Sequence, residues 1–157
     1  MEEIRVLAGE DEARRCAEMM CSTEPWITIG RTFDESLARV QDPTREVYVA
    51  ADDDQLLGFI ILNMRGAFVG YIQAVCVDEG ARGRGVGTRL LEFAERRILS
   101  DTPNVFLCVS SFNPRARALY ERLGYELIGE LKNYLIDGAS EFLMRKTIGP
   151  LLRREPL

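Results

Sequence analysis

A chain of 157 residues, 46% hydrophobic and 29% charged, is sized for one globular domain burying roughly 68–70% of its unfolded surface, which excludes disordered, collagen-like and coiled-coil architectures. The absence of histidine removes Ser-His-Asp and Cys-His nucleophile schemes, histidine general bases and nearly every catalytic zinc geometry, leaving proton transfer to a carboxylate, Tyr, Lys, Cys, backbone or water. A net charge of −5 argues against nonspecific nucleic-acid binding and suits a cationic substrate.

Residues 4–7 read as a short strand and 9–20 as an acidic-headed helix, interrupted by Pro25-Trp26-Ile27. Thr32 followed three residues later by Glu35 is a capping box, opening a helix that carries Leu37 and Val40 and stops before Pro43. Residues 46–51 and 56–64 are strands joined at Asp52-Asp53-Asp54 as a hairpin. Residues 68–77 form a longer strand entering a glycine-rich loop at 81–87. From 85 to 100, Val86, Leu90, Ala94 and Ile98 recur every four positions and Leu91 and Phe93 widen the stripe, which makes an amphipathic helix. Residues 105–109 are an apolar run of strand length, expected to be covered on both faces. Asn113 is an N-cap before Pro114 in a helix's first turn, and Gly124 closes that helix after Leu123. Two last strands, 125–131 and 141–146, flank a turn at Asp137-Gly138. The expectation is a single-domain α/β fold over residues 1–148, with a mixed sheet of about seven strands and about four helices, then a tail at 149–157. The strands on either side of the 85–100 helix should be parallel neighbours.

The longest nearly uncharged run, residues 55–64, is far short of the roughly 20 residues a bilayer span needs. Met1-Glu2-Glu3-Ile4-Arg5 lacks a signal-peptide pattern, so a cytoplasmic protein with no membrane partner is expected. Cys16, Cys21, Cys76 and Cys108 include no Cys-x-x-Cys pair, and no metal site is expected. Cys76 and Cys108 lie inside apolar runs, where they should be small buried hydrophobes with reduced thiols.

The chemistry concentrates in Arg82-Gly83-Arg84-Gly85-Val86-Gly87, between an apolar strand and an amphipathic helix. Glycines there let backbone N–H groups approach a ligand, and the helix start adds partial positive charge, which describes a phosphate pocket. A P-loop fails because Val86 stands where its lysine is required. A dinucleotide fingerprint fails at its third glycine, occupied by Thr88 or Leu90, and no acidic residue ends the next strand. What remains is Arg-x-x-Gly-x-Gly, with Arg82, Gly85 and Gly87.

That loop resembles motif A of the Gcn5-related N-acetyltransferases, which holds the pyrophosphate of acetyl-CoA. Asn113-x-x-Ala116-x-x-Leu119-Tyr120-x-x-x-Gly124-Tyr125 resembles the family's motif B, one helix and one strand later. The resemblance implies that Val75, Cys76 and Val77 offer backbone groups to the pantetheine arm. It implies that Arg82, Gly83, Arg84, Gly85, Val86 and Gly87 bind the phosphates with help from Thr88, and that Asn113 bonds the pantetheine. Tyr120 would serve the thioester sulfur as general acid. Its structural alternative is packing against the sheet, and that of Asn113 is capping alone.

Two carboxylates common in the family are missing: Tyr71 stands at one position, with Gln73 two residues on and on the same face, and Cys108 stands at the other. The base is left open between a water held by Tyr71, Gln73 or backbone carbonyls and a loop carboxylate such as Glu24 or Asp137. Lys132-Asn133-Tyr134 resembles the protein N-terminal acetylating branch. The resemblance implies acceptor contacts at 24–31 and 133–140, with Trp26 as either an aromatic wall or a core anchor, and with Trp26 and Tyr134 bordering the acceptor and not the cofactor. The expected enzyme is thus an acetyl-CoA-dependent N-acetyltransferase in which a primary amine, small molecule or peptide N-terminus, attacks directly in a ternary complex. The alternative is a non-catalytic acetyl-CoA sensor, and a homodimer is left open.

Overall fold

The computed structural model describes residues 1–153; of the expected tail, 154–157 lie outside them. One seven-stranded sheet carries the chain, ordered β1-β2-β3-β4-β5-β7-β6. Strand β1 (Glu2–Val6) lies on the outer edge, antiparallel to β2 (Glu46–Asp52). It starts before the apolar run because the ladder extends to Glu2 opposite Asp52. Helices α1 (Gly9–Cys21) and α2 (Phe33–Val40) fill the connection between them. The capping box forms as the sequence predicts: the Glu35 N–H donates to Thr32 Oγ1 at 3.2 Å and the Thr32 N–H to Glu35 Oε2 at 3.4 Å.

Strand β3 (Gln55–Asn63) is apolar along its length because both of its faces are covered. Phe59 and Ile61 pack with Met20, Trp26 and Val40 on the α1–α2 side. Leu57, Ile60 and Leu62 pack with Leu90, Leu91 and Ile98 of α3 (Val86–Leu99) on the other.

Strand β4 (Tyr71–Val77) begins three residues later than its apolar run. Gly70 turns the chain at φ +89°, where a Cβ would sit 2.5 Å from the Asn104 carbonyl oxygen. Only glycine fits there. Its carbonyl accepts a 2.9 Å bond from the Phe106 N–H and so opens the parallel pairing with β5 (Asn104–Ser110). Phe68, expected in the strand, instead packs on the Phe106 ring at 5.0 Å.

Two irregularities shape the middle of the sheet. Ile61 pairs with Ala74 but Leu62 with Ile72, so Gln73 is an extra residue bulged out of β4. The alternation slips there: Ala74 and Cys76 face α1–α2, whereas Ile72, Val75 and Val77 face α3. Tyr71 and Gln73 still line one side of the sheet together, as expected, but the bulge and not simple alternation puts them there. Second, β4 and β5 are parallel neighbours over only two residue pairs, Tyr71 with Phe106 and Ile72 with Leu107, and then part. On its other side β5 runs fully paired with β7 (Ser140–Thr147), outside which lies β6 (Glu126–Lys132). Helix α4 (Pro114–Arg122) joins β5 to β6. The wedge between β4 and β5 is a gap in the middle of the sheet.

Candidate active site

At the wide end of the wedge a short 3-10 turn (Glu79–Ala81) leads into the glycine loop. Gly83 and Gly85 adopt φ +75° and +78°, left-handed conformations that glycine takes without strain. Gly85 is the N-cap of α3 and offers no capping side chain, and no acidic residue occupies the first turn. The first N–H groups of a 14-residue helix are thus left for a ligand anion, where the helix dipole adds to them. Arg82 and Arg84 are exposed beside them, and Thr88 is half-buried in the first turn.

The loop is held by a residue that the motif did not single out. Arg89 forks onto Glu2 of β1 through Nε to Oε1 at 2.6 Å and Nη2 to Oε2 at 2.7 Å, and its Nη1 donates to the Arg84 carbonyl at 2.9 Å. The edge strand thereby fixes the loop's exit.

From this helix start a cavity of about 340 Å³ runs through the wedge. On the α3 side it is lined by Gly87, Val75, Val77, Asn113 and Tyr120. Once the strands part, Val75 and Val77 have no partner on the β5 side for their backbone groups. The Cys76 side chain points away into the α1–α2 core, so anything it offers is backbone. Asn113 caps α4 by accepting the Ala116 N–H at 3.4 Å, which leaves its amide N–H groups free to donate.

Tyr120 is 8% exposed, and burial alone pushes its phenol up to about 12. It stays protonated at neutral pH and keeps a proton to give. Its ring meets that of Tyr125 edge-on, centroids 5.9 Å apart. The Tyr125 hydroxyl in turn donates to Glu95 Oε1 at 3.0 Å, and Lys146 Nζ donates to Oε2 at 2.9 Å. Tyr120 is therefore both packed and presented to the cavity, so the two readings of it are compatible.

The α1–α2 side of the cavity is lined by Trp26, Tyr71, Gln73, Cys108, Tyr134 and Glu141, with Arg31 and Arg39 beyond. Trp26 is 7% exposed in the core and also lines the cavity. Tyr134 is 63% exposed at the rim. Gln73 Oε1 accepts from Arg45 Nε at 2.6 Å, so its carbonyl is already engaged. Burial pushes the Tyr71 phenol up, and the neighbouring Cys108 thiol pushes it further.

Cys108 is not the core hydrophobe that its apolar run predicts. It is half-buried and lines the cavity, because the parting of β4 and β5 leaves this face of β5 uncovered. Burial pushes its thiol up although Tyr71 stands beside it, so it stays protonated at neutral pH. Cys76 is buried as expected, its thiol pushed up to about 12.

Of the two loop carboxylates, Glu24 lines the cavity but is engaged through Oε2 with the Thr28 hydroxyl at 2.7 Å. Asp137 is not among the lining residues. The carboxylate that sequence reasoning missed is Glu141, 6% exposed and paired across the β5–β7 ladder with Ser110. Burial pushes its carboxyl up, partly offset by the Ser110 hydroxyl. No signal in the sequence marks Glu141, since an acidic residue starting an alternating strand reads as solvent-facing.

Among the described residues no group of His, Cys, Asp and Glu could hold a metal ion, and no helix is long and apolar enough to cross a membrane. Residues 10–125 match the family described as acetyltransferase (GNAT) family. The N-alpha-acetyltransferase RimI of Mycobacterium tuberculosis (strain ATCC 25618 / H37Rv) is 29% identical over 150 residues, 88% of this chain and 88% of that protein. The ribosomal-protein-S18-alanine N-acetyltransferase from Escherichia coli has the same fold with a TM-score of 0.78, at 18% identity over 100% of this chain and 99% of that one. An aminoglycoside 6'-N-acetyltransferase complexed with coenzyme A has a TM-score of 0.76, at 22% identity over 98% and 99%. Some relatives are longer, and the chain spans 37% and 29% of two of them.

Proposed function

Because the chain belongs to the acetyltransferase (GNAT) family, we propose that it transfers the acetyl group of acetyl-CoA to a primary amine, on a small molecule or a peptide N-terminus, by direct attack in a ternary complex. The observation that carries this reading is the wedge: one cavity joins the uncapped start of α3 to a protonated tyrosine and then opens on the far face of the sheet. Phosphates sit on the N–H groups of residues 83–88, where two left-handed glycines keep the approach clear. The pantetheine arm runs along Val75 and Val77 as a missing strand would, with the Asn113 amide donating to it. The thioester then lies beside Tyr120, and the acceptor enters from the side of Trp26, Tyr71, Gln73 and Tyr134. The amine nitrogen attacks the thioester carbon, and the C–S bond breaks as the sulfur takes a proton from the Tyr120 hydroxyl. No acyl-enzyme is needed, and the protonated Cys108 is a poor nucleophile for forming one.

The test is release of free CoA thiol from acetyl-CoA in the presence of an alanine-initiated peptide or an aminoglycoside. Tyr120→Phe should lower kcat about 10- to 1,000-fold and leave acetyl-CoA affinity, measured by calorimetry, nearly unchanged. Wild-type turnover in that variant would reduce Tyr120 to packing. Thiol release at the same rate with and without every amine offered would overturn the activity.

A further inference from the structure

Glu141 is the buried carboxylate of the cavity; no cation pairs with it, and the donor beside it is the Ser110 hydroxyl. It is only 6% exposed, yet it belongs to none of the ion pairs of the described residues. Glu12, the other strongly buried carboxylate of the α1 side, is forked by Arg5, and Glu95 is held by Lys146 and Tyr125. A carboxylate taken out of water is costly to a fold, and such groups normally find a cation. Beside it, Ser110 Oγ is buried with no hydrogen bond of good geometry. A carboxylate without a cation and a hydroxyl without a well-formed hydrogen bond, opposite one another on adjacent strands of the ladder, therefore line the acceptor side of the cavity together.

Resting on the acetyl-transfer reading above, we propose that Glu141 receives the acceptor's ammonium group and is the base that takes its proton. An ammonium supplies what the pair lacks: a positive charge for the carboxylate and N–H donors for both oxygens and for Ser110. The step balances simply. The ammonium gives one proton to the Glu141 carboxylate and keeps its lone pair for attack on the thioester carbon, forming the C–N bond. Collapse breaks the C–S bond. The second nitrogen proton replaces the one that Tyr120 passes to sulfur, and Glu141 returns its proton to solvent.

The groups facing Glu141 do not offer a better base. Tyr71 on β4 and Cys108 on β5 are both held protonated, and Tyr134 comes from the exposed β6–β7 loop. Across the cavity Arg31 and Arg39 are cations and Glu24 is bonded to Thr28. Burial also pushes the Glu141 carboxyl upward, toward the range in which a general base works at neutral pH.

The experiment compares wild type, Glu141→Gln and Glu141→Asp by thiol release with an alanine-initiated peptide and with an aminoglycoside, across pH. The Gln variant should lose at least about 100-fold in kcat/KM with its acetyl-CoA affinity unchanged, and its rate should rise with pH without the carboxylate-range limb of wild type. The Asp variant should recover part of the rate and the limb, which a merely structural role would not give. A folded Gln variant that keeps wild-type kcat/KM and the same acidic limb would overturn the assignment. Because the comparison is made against a wild type already shown to be active, its failure leaves acetyl transfer standing; a wild type inactive toward every amine would instead sink the reading on which the assignment rests.

Discussion

Tyr120 shows how a single side chain is made useful by its neighbours. Desolvation raises its pKa to about 12, and the edge-on contact with Tyr125 fixes the ring plane. Tyr125 is itself held by a buried hydrogen bond to Glu95, whose second oxygen takes Lys146. Lys146→Met should therefore cost stability, about 1–3 kcal/mol for a lost hydrogen bond to a charged group, read as a lower thermal midpoint. Its kcat should fall less than that of Tyr120→Phe, because the phenol proton is still present. Cys108 is the contrasting case: it lines the same cavity, but its thiol is held protonated and no base activates it. Cys108→Ala should keep turnover within about twofold, and an acetyl group trapped on Cys108 in mass spectrometry would reverse that conclusion.

Among the elements, α3 matters most through its first turn. Gly87 lies inside the helix, and a Cβ there would meet only Val77 Cγ2, at 3.4 Å, so a larger side chain projects into the cavity and not into the core. Gly87→Leu should keep its thermal midpoint yet weaken acetyl-CoA binding at least about tenfold in calorimetry. Gly85→Ala should lose stability as well, because φ +78° costs an L-residue about 1–2 kcal/mol and the Cβ would press on the Arg89 guanidinium at 2.9 Å. Elements of this kind were legible in the sequence because their signals are local: Thr32 with Glu35, Asn113 before Pro114, and the four-residue stripe of α3 are each set by neighbours along the chain. The bulge at Gln73 and the parting of β4 from β5 were not legible, since cross-strand register depends on residues far apart in sequence. The same reason hides Arg89, whose role exists only because β1 brings Glu2 to it from 87 positions away.

At the scale of the molecule, the loop, motif B and the aromatic rim were readable as separate segments, whereas the site's acidic residue was not. Glu141 lies in the cavity because β7 inserts between β5 and β6, placing it against Ser110; nothing in residues 140–147 announces that insertion. The chain's response to pH follows from the same arrangement. The Arg5 hydrogen bond holds Glu12 below the usual carboxylate range, and the Arg97 fork overcomes burial to do the same for Glu46. Both contribute stability that is present above the ordinary carboxylate pKa and lost as pH falls through their lowered values. Glu141 has the opposite sign. With its folded pKa raised by burial, the native chain binds its proton more readily than the unfolded chain, so its contribution becomes unfavourable as pH rises from the ordinary carboxylate range through the raised value. At neutral pH the charged carboxylate, buried with no cation beside it, is at its most costly, and Glu141→Gln should raise the thermal midpoint by on the order of a few degrees. On acidification the advantage should shrink and vanish below about pH 4, where wild-type Glu141 is protonated in both states. Glu12 and Glu46 titrate alike in both proteins and cancel from the difference. Parallel melts from about pH 4 to 8 measure it directly; a Gln variant less stable than wild type at neutral pH would mean that the carboxylate already has a partner within the fold.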